Sequence, residues 1–80
     1  MKVFILTETD STDPTWCHNE AFATREKAIE GLRKAVKEEL EERGDLVANH
    51  YISTNGEKAN VESMDFVTIA WNVTECELCG

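Results

Sequence analysis

Cysteine and histidine are the residue types best suited to chemistry in this chain, and they fall at two places. Cys17 is followed by His18, and Cys76 and Cys79 form a C-x-x-C pair near the end of the chain. Thiolates and imidazoles are the usual ligands of structural zinc, so Cys17, Cys76 and Cys79 define a candidate zinc site. A single C-x-x-C without a second pair is a weak zinc signal, and the pattern favours free thiols. We therefore expect no cofactor, and a small zinc-stapled module remains an alternative.

Nucleophilic catalysis would have to use Cys17 together with His18 or His50. Residues that are adjacent on a strand point to opposite faces, so Cys17 and His18 do not form the required nucleophile–base pair. No third group that could orient a histidine base is evident, and the chain has no glycine-rich phosphate loop. The sequence predicts that this protein is not an enzyme.

Charge is the third feature that bears on function, because its distribution is uneven. The net charge is −8, yet six acids balance six bases between Thr24 and Gly44, so the rest of the chain carries the whole excess. An acidic chain is repelled by nucleic acid and by anionic membranes, but it can bind a basic protein surface. Solubility alone is the competing explanation. The candidate partner-binding residues lie in or beside two inter-strand connections: Glu8, Asp10, Asp13, Glu57, Glu62 and Asp65.

One helix can be placed from local signals. Apolar residues recur at a 3.6-residue period between Ala28 and Leu40, which indicates a helix with one face in the core. Thr24 is a suitable N-cap, and Gly44 is a suitable residue at which the helix ends.

The strands are less sharply defined. Residues 3–7 are apolar on both faces and indicate a central strand, and residues 15–23 form either an antiparallel second strand or an ordered loop. Residues 46–53 read as a strand that leads into the turn at Asn55-Gly56. Residues 66–74 form a long final strand. The segment between them, 57–65, either begins that strand or forms a wide loop.

These elements predict a single α+β domain over residues 1–80. The predicted architecture is ββαββ, with a four-stranded sheet and one helix packed on one face, and βαββ is the alternative. The predicted strand order is 2-1-4-3, which makes the central pair parallel. Trp71 shares a face with Ile69 and Val73 and should pack on the helix. Trp16 and Phe66 either close the core, which we favour, or are exposed anchors of a protein interface. The uncovered sheet face suggests a homodimeric structural or regulatory module as an alternative function.

Three segments resemble parts of the small acidic proteins that bacteriophages and other mobile elements encode. They are residues 1–7 (MKVFILT), 21–28 (AFATREKA) and 71–78 (WNVTECEL). This family includes anti-CRISPR inhibitors, several of which mimic DNA. The resemblance implies an inhibitor that binds a nucleic-acid-binding effector in the host cytoplasm, and it transfers no functional residues. An odd number of cysteines and no evident signal peptide also lead us to expect a cytoplasmic protein.

Overall fold

The computed structural model describes residues 1–77, which form one antiparallel sheet and one long helix. The elements in chain order are β1 (Lys2–Asp10), β2 (Asp13–Phe22), α1 (Arg25–Arg43), a short 3₁₀ turn (Gly44–Leu46), β3 (Val47–Ile52), β4 (Lys58–Ser63) and β5 (Thr68–Glu77). The five strands lie side by side in the order β2-β1-β5-β4-β3. Every neighbouring pair is antiparallel, and α1 covers one face.

The predicted α+β class is correct, but the four-stranded ββαββ sheet and its βαββ alternative are wrong. Residues 57–65 contain a separate strand, β4, which pairs with β3 on one side and β5 on the other. Adding this strand reverses the direction of the last one, so β5 runs antiparallel to β1, with Leu6 opposite Val73. The predicted strand order and its parallel central pair are therefore wrong as well.

The helix matches its prediction at both ends. The Thr24 hydroxyl accepts a hydrogen bond from the Lys27 N–H at 3.2 Å, as an N-cap does. Gly44 has φ 54 and its N–H donates to the Leu40 carbonyl oxygen, which ends the helix. Between these ends, α1 buries Ala28, Leu32 and Val36 completely against the sheet.

The core lies between α1 and the helix-facing side of the sheet. It contains residues from three adjacent strands: Leu6 of β1, Ala59 and Val61 of β4, and Ile69, Trp71 and Val73 of β5. The predicted inward face of the last strand is thus confirmed, including Trp71, which is 2% exposed. The second strand and the hairpin around Asn55-Gly56 are confirmed too, since β2 pairs with β1 and β3 pairs with β4.

Two aromatic residues that we expected in the core lie outside it. Phe66 is 94% exposed because it belongs to the turn between β4 and β5. Trp16 is 41% exposed because it lies on β2, an edge strand with a single strand neighbour. Core closure therefore does not depend on either ring, and the prediction for both residues is wrong.

Candidate functional site

Four of the six predicted partner-binding acids meet at one end of the sheet. Asp10 ends β1 and Asp13 begins β2, while Glu62 lies near the end of β4 and Asp65 follows it in the next turn. Because the strands pair antiparallel, β1 and β4 finish at the same end of the sheet at which β2 and β5 begin. Asp45, in the 3₁₀ turn before β3, joins them there. We call these residues the acidic end: Asp10, Asp13, Asp45, Glu62 and Asp65.

Two hydrogen bonds join the turn between β1 and β2 to the start of β5. The Ser11 N–H donates to the Thr68 carbonyl oxygen at 2.9 Å, and the Thr68 N–H donates to the Ser11 hydroxyl oxygen at 2.8 Å. The turn between β1 and β2 is therefore held beside the start of β5, next to the turn that follows β4. The backbone that carries Asp10 and Asp13 is thus connected to the strand that follows Asp65.

Local donors orient the carboxylates of Asp10 and Asp13. The Thr12 hydroxyl and N–H both donate to one oxygen of Asp10, at 2.7 and 2.8 Å, and these bonds lower the pKa of Asp10. The Thr15 hydroxyl and N–H bind Asp13 in the same way, at 2.7 and 3.1 Å. Both carboxylates are thus oriented by donors only two residues away in the sequence.

Asp65 is stabilised as a carboxylate by the turn that contains it. The Ser63 hydroxyl has two acceptors within reach, the Leu46 carbonyl oxygen at 3.3 Å and the Asp65 carboxylate. Hydrogen bonding from Ser63 is the main cause that lowers the pKa of Asp65, and the Arg43 guanidinium contributes less. Arg43 also donates to Glu39, and its Nη1 lies 4.0 Å from Asp65 Oδ1. The arginine charge is therefore shared with two carboxylates, and the end stays negative.

Three large apolar side chains are exposed at this same end. Leu46 is 52% exposed, Met64 is 63% exposed and Phe66 is 94% exposed. The Met64 N–H donates to the Leu46 carbonyl oxygen at 2.7 Å, so their backbones are direct neighbours. We call these three residues the apolar knob. Two aspartates of the acidic end are sequence neighbours of the apolar knob: Asp45 precedes Leu46, and Asp65 lies between Met64 and Phe66.

Phe66 has an unusual backbone conformation. Its φ is 67, and within residues 1–77 it is the sole non-glycine residue with positive φ. This region costs an L-residue roughly 1–2 kcal/mol and is an outlier for a bulky side chain. The turn holds it there, because the Phe66 N–H donates to the Ser63 carbonyl oxygen at 3.1 Å and the Ser63 N–H donates to the Val67 carbonyl oxygen at 2.8 Å. Backbone strain of this kind is concentrated at binding and switch sites.

Glu57 and Glu8, the other two predicted partner-binding acids, lie elsewhere. Glu57 is at the opposite end of the sheet, where its Oε1 is 2.9 Å from Arg25 Nε. Glu8 lies on the helix-facing side of β1 and accepts a hydrogen bond from the Trp71 indole nitrogen at 2.6 Å. It lines a cleft of about 340 Å³ between α1 and β2, together with His18, Glu20, Lys34 and Glu38. The structure therefore gives both residues an internal partner and does not bring them to the acidic end.

The candidate zinc ligands are not brought together. Cys17 on β2 lies opposite Thr9 of β1, whereas Cys76 on β5 lies opposite Val3, six residues away along β1. That separation is about 20 Å, too far for one ion. Cys17 and Cys76 are far apart because β2 and β5 run in the same direction, which puts the start of β2 and the end of β5 at opposite ends of the sheet. Cys79 lies outside the described residues.

Other catalytic and metal arrangements can be assessed from the same geometry. Cys17 and His50 lie on β2 and β3, the two opposite edges of the sheet, so they cannot form a dyad. Residues 1–77 contain no group of three His, Cys, Asp or Glu side chains placed to hold a metal ion. In the same part of the chain, no helix has both the length and the apolar character that crossing a membrane requires.

Comparisons with protein-family models, curated proteins and solved structures found no match to this chain. The candidate site is therefore identified from the structure of this chain and from no related protein. The sequence allowed Phe66 as an exposed anchor, but Leu46, Met64 and Asp45 were not predicted as site residues. Strand parity carries a usable signal for Phe66, because the buried residues of β5 are odd-numbered and Phe66 falls on the other parity.

Proposed function

We propose that this protein is a non-enzymatic binding module that engages a basic protein surface through the acidic end, with Phe66 as its apolar anchor. The observation that carries the proposal is Phe66, a 94% exposed aromatic ring held at φ 67 in a turn beside Asp65. A fold gains almost nothing from such a ring, whereas aromatic anchors supply much of the energy of protein interfaces.

The carboxylates of the acidic end complement the anchor. Asp10 and Asp13 are each oriented by two donors within their own turns, so little conformational entropy remains to be lost when a partner binds. Ionised carboxylates form short, strong hydrogen bonds with arginine and lysine, and they also steer a basic partner into place. The partner that fits has an apolar pocket with a rim of lysine and arginine.

The partner class we favour is a protein whose basic groove ordinarily holds nucleic acid. Its groove offers spaced cations to phosphates, and carboxylates on connected turns can occupy the same positions. Support comes from the rigid acidic end and from the resemblance to phage-encoded inhibitors of the anti-CRISPR type. The protein would then act by occupying the groove as a nucleic-acid mimic, in proportion to its concentration.

Capture from a bacterial lysate on the immobilised protein tests this function. One variant neutralises the end: Asp10→Asn, Asp13→Asn, Glu62→Gln and Asp65→Asn. Asparagine keeps an acceptor oxygen at positions 10 and 13, so the turns are retained. The matched control changes four exposed acids elsewhere and has the same net charge: Glu20→Gln, Glu26→Gln, Glu30→Gln and Glu38→Gln.

We expect the wild type and the control to retain the same protein, which added duplex DNA releases. The end-neutralised variant and Phe66→Gly should lose it while keeping the circular dichroism spectrum of the fold. Equal capture by the end-neutralised variant would refute the proposal. Retention that is indifferent to DNA would refute the nucleic-acid-mimic part alone.

A further inference from the structure

The β3 strand is an edge strand of the sheet that lacks protective charged side chains. Within residues 1–77 its one strand neighbour is β4, and five of its six residues are exposed. Its sequence, VANHYI, has no charged side chain, whereas every other strand and both helical segments of the described chain carry at least one. Edge strands are normally protected by charges, because their free backbone groups can pair with another chain.

The outward backbone groups of β3 can be identified from its pairing. The Ser53 N–H donates to the Lys58 carbonyl oxygen at 2.8 Å, so Ser53 and, by alternation, Tyr51 direct their backbone groups toward β4. His50 and Ile52 therefore direct theirs away from the sheet. The His50 N–H donates instead to the side-chain oxygen of Asn49 at 2.9 Å, which is a local cap on a group without a strand partner.

Apolar surface accompanies these backbone groups on both sides of the strand. Tyr51 is 54% exposed and Ile52 is 37% exposed. Tyr51 lines a shallow groove of about 360 Å³ on the uncovered sheet face, with Lys58, Asn60 and Ala70 among its other lining residues. A strand that paired with β3 would cover parts of both side chains, so pairing would bury apolar area as well as form hydrogen bonds.

We propose that β3 pairs antiparallel with β3 of a second copy, joining two five-stranded sheets into one ten-stranded sheet. The absence of charged side chains on β3 favours a second copy of the same strand as its partner. Two molecules of net charge −8 repel each other, and a two-fold pairing sets each strand against itself, so only an uncharged strand avoids opposing like charges. With His50 on the dyad, each His50 N–H donates to the carbonyl oxygen of the other, and the Asn49 cap is released.

This association should be weak and should strengthen with salt. Six residues of paired edge bury less than a standard interface, so we expect the dimer at high concentration. Added salt screens the repulsion between the two acidic molecules and should shift the equilibrium toward the dimer. Binding of a basic partner at the acidic end should respond to salt in the opposite direction, so the two proposals stand or fall separately.

Sedimentation equilibrium of the full chain, from micromolar to millimolar protein, tests the proposal. His50→Glu opposes two carboxylates at the dyad and should raise the dissociation constant about fivefold. His18→Glu makes the same change on the other edge strand, β2, and should leave the constant near that of the wild type. Asn49→Ala removes the cap and should tighten the dimer.

Circular dichroism checks the fold of each variant. His18, Asn49 and His50 are all exposed, so the fold should tolerate these changes. A wild type that stays monomeric at the highest concentration would overturn the proposal. So would His50→Glu and His18→Glu variants that weaken the dimer equally, since that result would place the contact elsewhere.

Discussion

Replacing Phe66 by glycine separates the backbone strain of its turn from the use of its ring. At φ 67 an L-residue costs roughly 1–2 kcal/mol that glycine does not. The larger entropy of glycine in the unfolded chain offsets about 0.5–1 kcal/mol of that gain. Removal of a ring that is 94% exposed forfeits almost no burial energy. We therefore expect Phe66→Gly to raise the free energy of unfolding by about 0.5–1 kcal/mol, or the Tm by about 2–8 °C.

Urea and thermal unfolding, followed by circular dichroism, measure this change. Phe66→Ala is the matched control, because it removes the ring and keeps the strain, and its stability should stay close to that of the wild type. The difference between the two variants reports the strain itself. A glycine variant less stable than the wild type by more than about 1 kcal/mol would refute the reasoning, since the ring would then stabilise the fold.

Three further predictions concern the fold and its charges. Glu8→Ala leaves the buried Trp71 indole N–H without its acceptor and should lower the free energy of unfolding by about 1–3 kcal/mol. Glu8→Gln keeps an acceptor oxygen and should lower that free energy less. Equal losses for the two variants in urea unfolding would contradict this. Gly56→Ala puts a Cβ 2.8 Å from Ile29 Cγ2 at φ 75 and should destabilise the hairpin by about 2 kcal/mol, and a neutral effect on the Tm would be inconsistent with that contact. The pKa of Asp10 is lowered in the folded state, so its charge stabilises the fold above the unfolded pKa of about 3.9 and this contribution is lost as pH falls through the lower folded value. The difference in unfolding free energy between the wild type and Asp10→Asn should therefore be present at neutral pH and vanish in acid. Urea unfolding at a series of pH values measures it, and a difference that stays the same at every pH would contradict the prediction.

Local signals were enough to predict the helix and the inward face of the last strand. Thr24, Gly44 and the apolar period between them act within a few residues of the chain, so no tertiary information was needed. Trp71 was assigned to the core from parity alone. These elements are specified by short-range patterns that the packed structure preserves.

The β4 strand could not be distinguished from a loop by such signals. Val61 is its one strongly β-prone residue, and the other inward positions, Ala59 and Ser63, are small. Their burial becomes visible only when the helix and two neighbouring strands are in place. The number of strands before β5 decides the direction in which β5 runs. Because β4 was not predicted, the direction of β5 and the strand order of the sheet were predicted wrongly.

The acidic end depends on this same non-local information. Asp10, Asp45 and Asp65 are far apart in sequence, and they meet because five antiparallel strands return the chain to one edge. The exposure of Phe66 likewise follows from the turn between β4 and β5. Sequence reasoning therefore found four of the five acids but could not show that they lie together beside an apolar knob.

The salt dependence of binding is the sharpest test of whether the acidic end binds a basic protein. The measurement is the Kd of the wild type for the captured partner across a salt series, beside the end-neutralised variant and the control with four neutral residues elsewhere. We predict that the wild type and the control weaken steeply as salt rises, while the end-neutralised variant binds weakly with little salt dependence. A wild-type affinity that is unchanged across the series, or a steep dependence that persists in the end-neutralised variant, would contradict the account.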